Sequence, residues 1–221
     1  MRIHIRHTRC SSHRITGLKS QGGFTLIELI VSVAIIAVIT SVALVQHGQF
    51  NNTLALTNLT YEVALSVREA QTLGVSAREV QTPSGGVGNV SYGVFFDHAA
   101  PTQYILFADL NRNNTYDSAP LPGGATELVL GFDITRQNRI GDFCGRQSAG
   151  ANACASDGDA DTLSVLFERP NPDALVYVQD GADVDAFDAA TIYLTSAEND
   201  VRCVHIENTG QVSVDTSCTL P

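Results

Sequence analysis

The hydrophobic pattern begins with one long apolar run, Phe24 to Val45, in which Glu28 is the only charged residue. As a helix, these 22 residues would be about 33 Å long at roughly 1.5 Å per residue, enough to cross a bilayer core of about 30 Å. A secretory signal peptide has a shorter apolar run that ends in a small-residue cleavage site, and this run has neither feature. The pattern therefore predicts a retained membrane span over residues 24–45.

The helical pattern continues beyond this span. Residues 46–78 contain no proline, and apolar residues recur every three or four positions, which gives one apolar face. Gly48 and the pair Asn51-Asn52 are weak points where a bend or local melting is expected. We expect one helix over residues 24–78, whose amphipathic half, 46–78, lays its apolar face on a globular domain. The residues of that face are Leu56, Leu59, Val63, Val67, Ala70 and Leu73.

After Pro83 and a glycine-rich stretch, the pattern changes to short runs rich in Val, Ile, Phe and Tyr, separated by turn residues. Strands that follow one another closely usually pair antiparallel, so residues 84–221 are expected to form an antiparallel β domain. The predicted fold class is therefore α+β. The predicted strands are Val90–Asp97, Gln103–Asp109, Thr126–Ile134, Leu163–Glu168, Leu175–Gln179, Thr191–Thr195, Val201–Glu207 and Gln211–Val214.

Charge is distributed unevenly along the chain. The first 23 residues carry five basic side chains and no acid, and subtracting this +5 from the total of −10 leaves −15 for the remainder. The positive-inside rule places a basic start on the cytoplasmic side of a membrane. A body this acidic repels the phosphate backbone, which argues against a nucleic-acid partner. The five basic residues are Arg2, Arg6, Arg9, Arg14 and Lys19.

The segment from Gly23 to Glu28, GFTLIE, resembles the class III leader motif of type IV pilins and type II secretion pseudopilins, a resemblance that covers roughly residues 18–45. In that family, a membrane aspartyl peptidase cuts after the glycine and methylates the new amino terminus. The resemblance implies that residues 1–23 are a cleaved leader and that Phe24 begins the mature chain.

The same resemblance implies a pilin-like fold, in which a long membrane-spanning helix packs on an antiparallel β domain. It implies a single span in the bacterial inner membrane, with the carboxy-terminal domain in the periplasm or in an extracellular filament. The partners implied are other pilins or pseudopilins in a filament, the prepilin peptidase and an inner-membrane assembly platform.

Glu28 is the residue of the motif with a physical consequence of its own. A carboxylate inside an apolar span costs about 2.5–3.5 kcal/mol on insertion scales unless it is paired. In a filament, the expected partner is the amino-terminal ammonium of a neighbouring subunit, which cleavage sets free. The alternative is an acid near a helix end whose carboxylate reaches the lipid headgroups.

Two further segments, Tyr92–Phe96 and Phe107–Asn111, resemble the GspH/FimT branch of minor pseudopilins. This resemblance implies a minor subunit that acts in filament initiation or tip assembly, for protein secretion or pilus biogenesis. The alternative is a FimT-like minor pilin that takes up DNA through a basic carboxy-terminal motif. At the matching place, Gly210–Asp215, this chain has no arginine.

The chain has five cysteines, and Cys10 lies in the predicted leader. The other four lie beyond the span, on the side of the membrane where disulfides persist. Sequence proximity favours the pairs Cys144–Cys154 and Cys203–Cys218. Each pair would close a loop of roughly 10–16 residues and contribute about 2–3 kcal/mol. The alternative is a zinc site made by all four, although the closely spaced cysteine pairs of such sites are absent.

The segment 109–117 imitates the start of a calcium loop, with oxygen-bearing side chains at its first, third, fifth and ninth positions. The sixth position is Asn114, where glycine is usual, and the twelfth is Pro120, so the bidentate glutamate is missing. The alternative is an Asx-rich hairpin turn. The candidate calcium ligands are Asp109, Asn111, Asn113 and Asp117.

A second acidic run, Asp157, Asp159 and Asp161, is either another calcium site or a solvated loop. The sequence has no catalytic pattern: G-x-S-x-G, H-E-x-x-H and the phosphate-binding glycine loop are all missing. We therefore expect no enzyme, with an anchored hydrolase as the remaining alternative, and no cofactor other than a structural calcium ion. The histidines beyond the leader are scattered, at His47, His98 and His205.

Overall fold

The computed structural model describes residues 22–76, 80–81, 87–148, 150 and 152–221. The predicted leader up to residue 21, with Cys10, lies outside the described residues, as does the predicted helix end at Arg78. The chain divides into two compact units, Met1–Val45 and Gln46–Pro221.

The single helix of the described residues, α1, spans Leu26–Val75 and has 50 residues. It contains no break at Gly48 or at Asn51-Asn52, so the melting expected there does not occur. A glycine in a helix costs only about 1 kcal/mol relative to alanine, which the hydrogen bonds of a long helix on both sides offset.

The second half of α1 buries the apolar face that the sequence predicted. Five of its residues are at most 7% exposed, and the sixth, Leu73, is partly buried. Near the end of the helix, a Cβ on Gly74 would collide with the backbone carbonyl of Phe167. This position therefore admits only glycine, because the helix backbone runs directly against a strand. The five buried residues are Leu56, Leu59, Val63, Val67 and Ala70.

Thirteen strands follow α1 in the described part of the chain. They are β1 (Val80–Gln81), β2 (Val87–Gly88), β3 (Ser91–Asp97), β4 (Gln103–Asp109), β5 (Leu128–Asp133), β6 (Arg139–Arg146), β7 (Ala153–Cys154), β8 (Thr162–Phe167), β9 (Ala174–Asp180), β10 (Asp183–Phe187), β11 (Ala189–Thr195), β12 (Val201–Glu207) and β13 (Val212–Asp215).

The strands form two main sheets and one small pair. The larger sheet has the order β10-β9-β8-β3-β4-β5, the smaller has the order β13-β12-β11-β6-β7, and β1 pairs with β2. Every pairing is antiparallel. The predicted α+β class, an apolar helix followed by antiparallel sheets, is therefore confirmed and is consistent with a pilin-like fold.

All eight predicted strands are present within two residues of their expected bounds, but β1, β2, β6, β7 and β10 were not predicted. The strand β6, RIGDFCGR, contains two glycines and an aspartate, which are poor strand formers. It forms because it pairs along its length with β11, with one irregularity beside Gly141, and buries Ile140 and Phe143. Tertiary packing here overrides local propensity.

One hydrophobic core joins the second half of α1 to both main sheets. The helix contributes its predicted face, the larger sheet contributes residues such as Phe96 and Leu106, and the smaller sheet contributes residues such as Phe143 and Ile192. Ser66 on the helix also hydrogen-bonds to the buried Tyr104 hydroxyl, at 3.1 Å. The β domain is therefore built on the second half of α1.

Candidate functional site

The predicted cleavage site lies in the four non-helical residues that precede α1, Gly22–Thr25. Gly22 and Gly23 have no neighbouring atom where a Cβ would stand, and Phe24 is 80% exposed. The peptide bond after Gly23 is therefore exposed and outside the helix, as a peptidase substrate must be.

Thr25 caps the amino terminus of α1. Its hydroxyl accepts the backbone N–H of Glu28 at 3.3 Å, and its carbonyl accepts the N–H of Leu29 at 3.1 Å. Thr25 and Glu28 have the spacing of a capping box, and an acid in the first turn interacts favourably with the helix dipole. The local sequence thus fixes where the helix begins and places Glu28 in its first turn.

The first half of α1 is apolar on all sides. Leu26–Leu44 has a mean hydropathy of 2.6 and none of it is buried within the protein, so by length and composition it can cross a membrane. Its polar side chains are satisfied inside the helix, as the hydrocarbon region requires. The hydroxyls of Ser32, Thr40 and Ser41 donate to the carbonyls of Glu28, Ile36 and Ala37, at 2.7–2.8 Å.

The Glu28 carboxylate is the exception in this segment. It is exposed, and no side-chain hydrogen bond or ion pair reaches it from the residues that the structure describes. The apolar surface and the unpaired carboxylate occur together at the beginning of the same helix. A partner that covered this surface and supplied a positive charge close to its first turn would satisfy both features.

The four cysteines of the body form two disulfide bonds, Cys144–Cys154 and Cys203–Cys218, the pairs that sequence proximity favoured. The Cα atoms are 4.1 Å apart in the first pair and 6.2 Å apart in the second. Cys144 and Cys154 are directly opposite each other in β6 and β7. The second disulfide ties the carboxy-terminal segment to β12.

The predicted calcium ligands meet in one hydrogen-bonded loop after β4. Asp109 is 1% exposed, and its carboxylate accepts the backbone N–H groups of Asn113 and Asn114, each at 3.1 Å. Asp117 Oδ2 accepts the side-chain amides of Asn111 at 2.7 Å and Asn113 at 2.8 Å. The described arrangement is the Asx-rich turn, and it brings all four candidate ligands together.

Glu127 is a member of this cluster that sequence reasoning missed. It is fully buried, and its two oxygens accept the backbone N–H groups of Leu110 at 3.0 Å and Asp117 at 2.9 Å. Burial is the main cause that raises the pKa of both Glu127 and Asp109. A buried glutamate therefore joins this loop from ten positions after Asp117, a position that no contiguous motif would include.

The remaining candidates are not assembled into a site. Asp157, Asp159 and Asp161 are exposed, which fits a solvated loop, and Asp161 accepts the N–H of Gly181 at 2.8 Å. His98 is exposed. The His205 ring hydrogen-bonds to the buried Thr191 hydroxyl at 3.1 Å, in neighbouring strands of the smaller sheet.

A family model described as the prokaryotic N-terminal methylation motif matches residues 18–44. No curated protein and no solved structure gives a significant match to the chain. The matched residues contain the predicted cleavage site, the capping threonine, Glu28 and the apolar first half of α1. The motif and the helix indicate a membrane-anchored precursor of the type IV pilin-like kind. Such a motif suggests a structural subunit that is processed by a prepilin peptidase and then assembles with other pilins.

Proposed function

We propose that this chain is the precursor of a minor pilin-like subunit of the GspH/FimT branch, for a type II secretion pseudopilus or a type IV pilus. The observation that carries the proposal is the methylation motif at the start of an uncovered apolar helix that leads into an antiparallel β body. A membrane anchor alone needs the apolar residues but neither the motif nor Glu28.

In this proposal, the basic leader stays in the cytoplasm and the first half of α1 inserts in the inner membrane. The prepilin peptidase cuts after Gly23 and methylates Phe24. The oxidised β body then lies in the periplasm, or outside the cell once the subunit enters a filament. Two disulfides in the body support this orientation, because disulfides are rare in the cytosol.

Lateral docking of neighbouring subunits covers the apolar surface of Leu26–Leu44 and pairs Glu28 with the Phe24 ammonium of an adjacent subunit. A comparison of two free energies supports this pairing. An acid in the first turn gains about 0.3–1 kcal/mol from the helix dipole. The penalty for a carboxylate in the span is about 2.5–3.5 kcal/mol, so the helix alone does not offset it.

The branch assignment rests on the segments Tyr92–Phe96 and Phe107–Asn111. The first segment lies on β3, and the second begins on β4 and continues two residues past its end. The two strands pair, with Tyr92 opposite Ala108 and Ser91 opposite Asp109. The two segments that carry the resemblance therefore belong to one β-hairpin, which supports the interpretation that they are a single structural unit. In this branch we propose a role in filament initiation or tip assembly.

The first test is processing. In a bacterium with active prepilin peptidase, mass spectrometry of the membrane-extracted protein is expected to show loss of residues 1–23 and a methylated Phe24. Replacing Gly23 by leucine is expected to block the cut, because the larger side chain stands next to the cleaved bond. The control is the same strain with an inactive peptidase, in which the precursor stays whole. An intact leader in the strain with active enzyme would contradict the proposal.

A further inference from the structure

A cluster of three buried ligand-type residues lies at the edge of the smaller sheet. Asp142 and Cys144 are two positions apart on β6, which places them on the same face of the strand, and Cys154 is opposite Cys144 on β7. All three are nearly inaccessible, at 2–3% exposure. One carboxylate oxygen and the two sulfurs lie within 4.8 Å of one another, the only such group of three in the described part of the chain.

The Asp142 carboxylate has one satisfied and one unsatisfied oxygen. Oδ1 accepts the backbone N–H groups of Phe143 at 2.8 Å and Ser156 at 3.1 Å. Oδ2 is buried and accepts no hydrogen bond from the described residues. A buried polar group left unpaired costs about 1–3 kcal/mol, and more when it is charged. The adjacent disulfide has no proton to donate, so the oxidised pair does not relieve this cost.

Two thiolates and a carboxylate are a donor set that suits Zn²⁺. With Zn–S distances of about 2.3 Å and Zn–O distances of about 2.0–2.2 Å, tetrahedral ligand atoms lie about 3.6–3.8 Å apart. The carboxylate oxygen already lies within 4.8 Å of both sulfurs. Once the disulfide is broken, the two sulfurs must move apart from their bonded positions to reach that spacing. Three protein ligands leave a fourth position for water.

We propose that Asp142, Cys144 and Cys154 form a redox-gated site for a soft divalent cation such as Zn²⁺. The dithiol form binds the ion together with the Asp142 carboxylate, and the Cys144–Cys154 disulfide excludes it. Asp142 is then the residue that distinguishes this pair from an ordinary structural disulfide. The proposal is independent of filament assembly.

One reagent reduces the Cys144–Cys154 disulfide and another re-forms it. A water-soluble phosphine breaks the S–S bond, takes an oxygen from water to become the phosphine oxide, and leaves two thiols. Binding of the divalent ion releases the two thiol protons to solvent. Glutathione disulfide reverses the process: thiol–disulfide exchange re-forms the Cys144–Cys154 bond, two glutathione thiolates leave and take up two protons from solvent, and the ion is freed.

The test uses the full chain in detergent micelles, with Cys10→Ser to remove the leader thiol and Co²⁺ as a coloured probe. After phosphine reduction, one Co²⁺ per chain is expected to give thiolate-to-cobalt charge-transfer absorption, which Zn²⁺ displaces. The oxidised chain is expected to give none. Joint replacement of Cys203 and Cys218 by serine is expected to leave the signal, whereas joint replacement of Cys144 and Cys154 is expected to abolish it.

The Asp142→Asn variant keeps the shape and the backbone hydrogen bonds but removes the charge. Its Kd for Co²⁺ is expected to rise about tenfold or more, since even the indirect partners of metal ligands affect affinity by about 10–100-fold. The matched control is Asp97→Asn, because Asp97 lines the same 250 Å³ cavity as Asp142 but lies outside the three-residue group. This control is expected to bind Co²⁺ like the parent.

Several results would overturn the proposal. These are no cobalt absorption after reduction, a signal that needs all four cysteines, and equal Kd values for the two asparagine variants. Circular dichroism checks that the reduced chain and each variant keep their strands. If Asp142→Asn does not fold, the reduced and Zn²⁺-loaded parent chain provides the test. Glutathione disulfide is expected to release one Zn²⁺ per chain to a chromophoric indicator. Retention of the ion would refute redox control of the site.

Discussion

At the scale of single residues, the loop after β4 buries two carboxyl groups close together. Asp109 and Glu127 are both almost completely buried, and neither has an ion pair in the part of the chain that the structure describes. Each accepts two backbone N–H groups, yet burial still raises both pKa values. A divalent cation would offset this accumulation of negative charge, so calcium remains our prediction for this loop.

We expect calcium to raise the melting temperature of a soluble fragment that begins at Thr53. With free calcium at a hundredfold excess over Kd, the stabilisation is about 2.7 kcal/mol, or about 5–10 °C for a domain of this size. Glu127→Gln is expected to remove most of the shift between calcium and chelator, whereas Asp157→Asn, in the exposed acidic run, is not. Equal melting temperatures of the parent fragment in calcium and chelator would remove the site.

The same loop shows a limit of reading a motif along the chain. Asp109, Asn111, Asn113 and Asp117 could be identified because they are adjacent in sequence. Glu127 could not, because it joins them only after β5 pairs with β4 and returns the chain to the loop. Asp142 was missed for a related reason: Cys144 is only two positions away, but Cys154 joins them only when β7 pairs with β6.

At the scale of elements, α1 is one helix in two environments. Its first half buries nothing within the protein, whereas its second half inserts one face into the core shared with both sheets. The periodicity of three and four predicted this face correctly because a helix on a core has one apolar side. The edge of the smaller sheet was harder to predict, because β6 gains its stability from neighbours that its own sequence does not indicate.

Two leucines on α1 provide a matched pair for testing this helix. Leu56 is fully buried and Leu65 is 68% exposed. Leu56→Ala is expected to lower the free energy of unfolding by about 2–5 kcal/mol, since it removes core contacts and leaves a cavity. Leu65→Ala is expected to change it by no more than about 0.5 kcal/mol.

Urea denaturation of the fragment that begins at Thr53 measures both values. We expect this fragment to be monomeric, because the apolar first half of α1 is missing. Equal effects of the two substitutions would mean that the helix does not dock on the sheets by the predicted face.

At the scale of the whole molecule, the chain has three parts with different physical characters. A basic start with five positive charges precedes an apolar span, and the remainder carries a net charge of −15 once the leader charge is subtracted. The body also contains two disulfide bonds. A basic start, an apolar span and an acidic, disulfide-bonded body in this order suit a subunit that crosses a membrane once. The acidity of the body disfavours the DNA-uptake alternative.

We propose that Glu28 pairs with the amino terminus of a neighbouring subunit, and in-membrane cross-linking between adjacent subunits measures the docking that depends on this pair. Removing one member of a buried charge pair costs about 3–5 kcal/mol, which shifts a docking equilibrium roughly a hundredfold or more. Glu28→Leu is therefore expected to be cleaved and inserted but to lose its cross-links, whereas Glu62→Gln, an exposed acid on the second half of α1, keeps them. Cross-linking of Glu28→Leu at the level of the parent chain would contradict the pairing of Glu28 with a neighbouring amino terminus.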